Sequence, residues 1–154
     1  MSYFDLGAFK RDITTTSAEA QTWFDRGLNW LYGYNHAEAI ACFKKALEHD
    51  GGCAMAQWGI AYAFGPNYNL PWHMMDERGK AKTLSGAHAA TQAALSLAAG
   101  ATAVEQALIG ALPARYPQAD PIEDQSAWND DFADAMRAVY KTHADDLEVC
   151  AIFA

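Results

Sequence analysis

The sequence predicts an all-α fold in which helical hairpins repeat along the chain. Large and small apolar residues recur with helical spacing, and a similar pattern returns between Gly27 and Ala61, which lie 34 positions apart. Small residues let paired helices approach closely while aromatic side chains fill the neighbouring gaps, so this period is typical of stacked hairpins. Gly, Pro and Asn also interrupt the pattern where the turns of such hairpins are needed.

The first copy of the pattern combines aromatic and small residues on two successive helices. Its members are Trp23, Gly27, Ala39, Phe43 and Ala46. At these positions the chain resembles the tetratricopeptide repeat family, although Arg26, Trp30 and Gly51 stand where the family has leucine, tyrosine and proline. The resemblance implies a solenoid of about three and a half hairpins. Residues 58–69 are similar to longer bacterial members, so we expect the chain to be the N-terminal part of such a protein.

An N-terminal arm, residues 1–16, precedes the first repeat, which we place at residues 17–52. The arm lacks helical periodicity but is rich in apolar residues, so we expect it to pack on the repeats. Thr16 and Glu19 predict a capping box at the start of the first helix. This helix should end near Gly33.

The second repeat is expected to be longer than the first and to occupy residues 53–100. Helical periodicity predicts the second helix of the first repeat over residues 36–49. It also predicts the first helix of the second repeat over residues 53–64. Two prolines, a glycine and two asparagines then predict a loop at residues 65–72. The remaining hairpin partner is predicted as a long helix over residues 76–98.

The third repeat is placed at residues 101–144. Thr102 and Glu105 predict a second capping box, and an apolar stripe predicts a helix over residues 126–142. Residues 145–154 begin a fourth repeat that has no second helix to cover its apolar side. We therefore expect either a longer native chain or a homodimer that buries three apolar side chains. These are Val149, Ile152 and Phe153.

Composition restricts the classes of partner. The chain has 11 Lys and Arg against 19 Asp and Glu, and its net charge of -8 disfavours binding to a nucleic-acid backbone. The sequence shows neither a secretory signal nor an uninterrupted apolar run that could cross a membrane, so we expect a cytoplasmic protein without a membrane partner. Three cysteines without paired spacing are expected to be reduced thiols.

The family resemblance implies a protein-interaction module that binds a peptide or helix in a concave groove. We place the groove lining on the first helices of the first two repeats, where it is aromatic and apolar. The predicted lining residues are Phe24, Leu28, Leu31, Tyr32, Met55, Trp58 and Tyr62. Such a surface favours a hydrophobic or amphipathic ligand over an acidic tail. The alternative is that the chain itself fills the groove.

The loop at residues 65–72 is a second candidate site. Its prolines frame a segment that presents amide groups beside aromatic rings, which suits a small ligand or a polypeptide backbone. The candidate ligand-binding residues are Asn67, Tyr68, Asn69 and Trp72. The alternative is a plug of side chains over the end of the helical stack.

Metal binding and catalysis have little support in the sequence. His73 is followed by Met74 and Met75, which suits a soft metal ion, but no second ligand follows at helical spacing. We therefore predict no metal or other cofactor. Phosphate loops, serine elbows and zinc-protease motifs are absent, so no enzymatic activity is predicted. The alternative function is a small-ligand or metal-binding protein, or part of a larger enzyme, that uses the 65–72 loop and His73.

Overall fold

The computed structural model describes residues 3–154, and this part of the chain forms seven α-helices and no β-strand. The helices are α1 (Ala18–Tyr32), α2 (His36–His49), α3 (Ala54–Phe64), α4 (Glu77–Leu97), α5 (Ala103–Arg115), α6 (Ser126–His143) and α7 (Leu147–Phe153). Where the sequence predicted a helix boundary, the structure agrees to within one residue. No helix among the described residues combines the length and apolarity needed to span a membrane.

Consecutive helices pack against each other throughout the chain. The first helices of successive hairpins, α1, α3 and α5, also contact one another, as expected for a helical repeat. One hydrophobic core includes side chains from all seven helices. The predicted all-α helical-hairpin fold is therefore confirmed.

Phe43 of α2 determines how closely α1 and α3 approach. Its ring is fully buried, and both neighbouring helices reach it through a glycine. A Cβ atom at Gly27 of α1 would lie 2.6 Å from the ring, and one at Gly59 of α3 would lie 2.7 Å from it. Glycine is therefore required at both positions for this packing.

The predicted capping residue of α1 is wrong by one position. Ser17, and not Thr16, accepts the hydrogen bond from the backbone N–H three residues later, at 3.1 Å. The predicted box with Glu19 therefore does not form. The second box is confirmed, because Glu105 accepts from the Thr102 backbone N–H at 2.8 Å while the Thr102 hydroxyl accepts from the Glu105 N–H.

The described part of the N-terminal arm, residues 3–16, packs along the repeats as expected. Both terminal nitrogens of Arg11 donate to Asp146, at 2.8 and 3.0 Å. The backbone N–H of Thr14 donates to Glu105 at 2.8 Å. The arm thus connects α1 with the beginnings of α5 and α7.

The apolar side of α7 is covered within the same chain. Val149 is fully buried, and Ile152 and Phe153 pack partly buried against the core. The Phe153 ring also stacks on Tyr140 of α6, with centroids 4.9 Å apart. Val149 is therefore buried without a second copy, whereas Ile152 and Phe153 keep part of their surface exposed. A homodimer through this helix stays a prediction.

Candidate functional site

Most of the predicted groove lining lies in the core. Five of its seven residues are buried, namely Phe24, Leu28, Leu31, Met55 and Trp58. Phe24, Leu28 and Leu31 lie on the buried face of α1, which packs against α2 and α3. In α3, which is apolar on all sides, neighbouring elements cover both Met55 and Trp58. The chain itself fills this space, and only Tyr32 and Tyr62 keep substantial exposure.

A cavity of about 240 Å³ brings the remaining groove residues together with part of the predicted loop site. It lies where α1, α2, α3 and the end of α5 meet the 65–72 loop. Its wall consists of Leu31, Tyr32, Tyr34, His36, Tyr62, Pro66, Asn67, Tyr68 and Arg115. Because four of these residues are tyrosines, we call it the tyrosine cavity.

Asn67 shapes the loop at the edge of the tyrosine cavity. Its side-chain oxygen accepts from the backbone N–H groups of Asn69 and Leu70, at 2.9 and 3.1 Å. The backbones of Asn67 and Leu70 also exchange two hydrogen bonds. This tight turn uses the oxygen of the Asn67 amide and not its nitrogen. The next side chain, Tyr68, lies in solvent and is 91% exposed.

The other residues proposed for the loop site lie elsewhere. Asn69 is exposed outside the cavity wall. Trp72 is mostly buried against Trp128 of α6, with ring centroids 6.1 Å apart, and it lines a neighbouring cavity of about 250 Å³ together with Asn67 and Arg115. His73 is exposed, and among the described residues no three His, Cys, Asp or Glu side chains are grouped in a way that could hold a metal ion.

Arg115, the last residue of α5, supplies a positive charge that sequence reasoning missed. Only 9% of the residue is exposed, and one terminal nitrogen, Nη2, donates to the Pro66 carbonyl at 2.5 Å. The guanidinium carbon lies 4.4 Å from the centroid of Tyr62 and 4.9 Å from that of Phe132. Arg115 is thus held by ring faces and a carbonyl group.

The guanidinium group has no acidic partner in residues 3–154. None of the ion pairs in this part of the chain includes Arg115, and neither Asp nor Glu lines the tyrosine cavity. The second terminal nitrogen, Nη1, is buried and makes no hydrogen bond there. Burial, assisted by the Arg115 charge, lowers the pKa of His36, so the histidine is neutral at neutral pH.

The neighbourhood of Arg115 contains two further isolated donors. The Tyr116 hydroxyl and the Trp72 indole nitrogen are buried, and neither has a hydrogen-bond partner within the described chain. Burial also raises the pKa of Tyr116, so its hydroxyl remains protonated. Gly65 lies so close to this hydroxyl that a side chain there would collide with it.

A second, larger cavity of about 460 Å³ lies between the N-terminal arm and α7. Its wall consists of Phe9, Asn29, Tyr32, Leu147, Glu148 and Ala151. Glu148 is buried in this mostly apolar surface, and burial raises its pKa to about 7. None of the residues predicted for the loop site reaches this cavity, whereas two of them line the tyrosine cavity.

The described residues form an all-α helical-repeat fold with an aromatic cavity. In comparisons with known protein families, curated proteins and solved structures, the chain has no significant match. The resemblance to tetratricopeptide repeats therefore stays a prediction from the sequence, and function has to be argued from the cavity itself.

Proposed function

We propose that this protein is an interaction module that binds a segment of a partner polypeptide in the tyrosine cavity. The observation that carries the proposal is a rim of exposed aromatic rings: Tyr32 is 41% exposed, Tyr34 59% and Tyr68 91%. Tyrosine offers a large rigid contact surface and a hydroxyl group, and it is enriched among the residues that dominate binding energy at protein interfaces.

The size of the cavity favours an anchoring side chain of a polypeptide over a whole cofactor. Pockets that enclose a small molecule usually measure about 300 to 1,000 Å³, whereas the tyrosine cavity measures about 240 Å³. One side chain can fill such a space while the rest of its backbone crosses the tyrosine rim. The Asn67 amide nitrogen at the edge can donate to a carbonyl of that backbone.

The backbone of Tyr34 supports a role for the rim beyond packing. Its φ angle is 61°, in the left-handed region, where a residue with a side chain pays roughly 1–2 kcal/mol. Asn tolerates this conformation better than Tyr. A tyrosine in this turn, with its ring mostly in solvent, contributes little to the core and is suited to contact a ligand.

A peptide-display selection against the purified chain tests this function. We expect a sequence motif to be enriched, and the affinity of the selected peptide to fall at least about tenfold in Tyr68→Ala. Phe4→Ala is the matched control, because Phe4 is another exposed aromatic residue, 71% exposed, that lies outside the cavity wall. A selection without a motif, or equal effects of the two substitutions, would overturn the proposal.

A further inference from the structure

Arg115 is a buried charge without an acidic partner in the part of the chain that the structure describes. A guanidinium group carries five N–H donors, and the hydrogen bond to the Pro66 carbonyl uses one of them. The rings of Tyr62, Tyr116 and Phe132 attract the cation, but such contacts are weak compared with a counter-ion. Burial of an ion without a counter-ion is strongly unfavourable. Residues 3–154 therefore lack an acidic group that would compensate this charge.

The tyrosine cavity around Arg115 offers donors and almost no negative charge. Tyrosine hydroxyls and the Asn67 amide nitrogen can donate hydrogen bonds to a ligand at its wall. His36 is neutral at neutral pH, so the permanent charge at the cavity wall is the single positive charge of Arg115. A ligand group that complements this wall accepts hydrogen bonds and carries negative charge.

We propose that Arg115 binds a carboxylate group of the ligand in the tyrosine cavity. The inference rests on the proposed function and names the chemical class that the cavity selects. A guanidinium group forms strong charge-assisted hydrogen bonds with carboxylate oxygens, and Nη1 of Arg115 has no hydrogen-bond partner in residues 3–154. This changes the sequence-based expectation, which favoured a hydrophobic or amphipathic ligand over an acidic tail because the predicted groove lining was aromatic and apolar. Arg115 was not among those lining residues.

A carboxylate fits the charges better than a phosphate group does. A phosphate dianion would place two negative charges opposite one guanidinium group. The chain as a whole already carries a net charge of -8, so a second uncompensated negative charge would also be repelled at longer range. One negative charge on a planar group is the better complement to this single cation.

The test compares N-acetyl-leucine with its neutral amide and with inorganic phosphate, by titration of the complete chain followed by NMR. For a ligand this small we expect dissociation constants in the millimolar range, with the acid binding about tenfold more tightly than the amide. The side-chain N–H resonances of Arg115 should shift with the acid. Equal binding of acid and amide, tighter binding of phosphate, or no binding of the acid at roughly 10 mM would overturn the inference.

Two substitutions test whether the preference for the acid over the amide depends on Arg115. In Arg115→Met the acid and the amide should bind alike, because the long apolar side chain keeps the volume and removes the charge. Arg137→Met is the matched control, since the Arg137 side chain is 52% exposed on α6 and lies outside the cavity wall. A preference for the acid that survives in Arg115→Met would contradict the inference. If that variant does not fold, the Arg115 resonances of the unaltered chain decide the question.

The two proposals can fail separately. If peptide display selects neutral peptides that depend on Tyr68, polypeptide binding stands and the carboxylate inference fails. If display selects nothing while the free acid binds through Arg115, the site takes a small carboxylic acid and the proposed function fails. A peptide with a free C-terminus and its amidated form, compared with the free acid, show whether a polypeptide carboxylate is accepted in the cavity.

Discussion

The surroundings of Phe43 and those of Arg115 differ in how completely their groups find partners. The Phe43 ring is fully buried, contacts Phe24 at a centroid distance of 5.4 Å and is closely approached by two glycine-containing helices. Around Arg115, three buried donors have no partner among the described residues. The first region therefore contributes to stability. The second loses stability through these unpartnered donors, of which only Arg115 lines the tyrosine cavity.

The largest expected effect is at Phe43. Phe43→Ala removes a fully buried ring on which α1 and α3 both pack, so the free energy of unfolding should fall by about 3–5 kcal/mol. Urea denaturation followed by circular dichroism measures this loss. Phe4→Ala, at a mostly exposed ring, should cost less than about 1 kcal/mol. Similar losses of stability in both variants would contradict the close packing around Phe43.

A smaller effect, dependent on pH, is expected at Glu148, a third place where a buried group lacks a full partner. One of its oxygens has no hydrogen bond in the described chain, and Arg11, bonded to Asp146, stays 4.0 Å from the other. Burial raises the pKa of Glu148 from 4.5 to about 7. The folded state therefore binds this proton more tightly than the unfolded state. This contribution to stability is complete below about pH 4.5 and is lost as the pH rises to about 7.

Glu148→Gln should remove that pH dependence. Between about pH 4 and pH 8, the stability of the original chain relative to the variant should fall by on the order of 3 kcal/mol. Urea denaturation at a series of pH values measures it. Glu123→Gln, at an exposed carboxyl, is the control and should leave the dependence unchanged. A stability difference that does not change with pH would show that Glu148 has an ordinary pKa.

The glycines that contact Phe43 give the next effect. Gly27→Ala places a methyl group against the ring, and overpacking of this kind typically costs about 1–3 kcal/mol. Gly110→Ala is the matched substitution in α5, where an added Cβ atom meets nothing within 4 Å. It should stabilise the helix by up to about 1 kcal/mol, because alanine is the better helix former. Thermal unfolding of both variants measures the two changes in stability. Changes of the same sign would contradict the packing at Phe43.

These two regions also explain how far the sequence was informative. Gly27 and Phe43 could be predicted as packing residues because their spacing repeats along the chain, and local capping and turn residues placed the helix boundaries. Arg115 could not be predicted as a site residue, since its carbonyl partner at Pro66 is 49 positions away in the sequence. The two residues come into contact only because α3 packs on α5. A basic residue near a helix C-terminus is also explained by the helix dipole alone. The sequence signal for a site was therefore ambiguous.

The predicted groove failed for a related physical reason. Helical spacing predicts which residues share a face, but it does not predict which face remains open when nearly every face of a helix is apolar. In α3 both Met55 and Trp58 are buried, and only Tyr62 reaches the cavity. Asn67 and Tyr68 were predicted correctly as neighbours in a loop, but the cavity that they share with Tyr62 follows from tertiary packing.

The smallest expected effect tests the unpaired donors near Arg115 directly. The hydroxyl of Tyr116 is buried and has no partner in the described chain, so Tyr116→Phe removes a polar group that costs stability. We expect a gain of about 1 kcal/mol in the free energy of unfolding. Tyr3→Phe is the matched control, because the Tyr3 hydroxyl donates to Glu38 at 3.0 Å and accepts from the Trp30 indole N–H at 2.8 Å. This control should lose stability by about 1 kcal/mol or more, since it leaves the indole donor without its partner. If both variants lose stability, the Tyr116 hydroxyl has a partner in solution, and the contrast between the packing at Phe43 and the unpartnered donors near Arg115 would no longer hold at this residue.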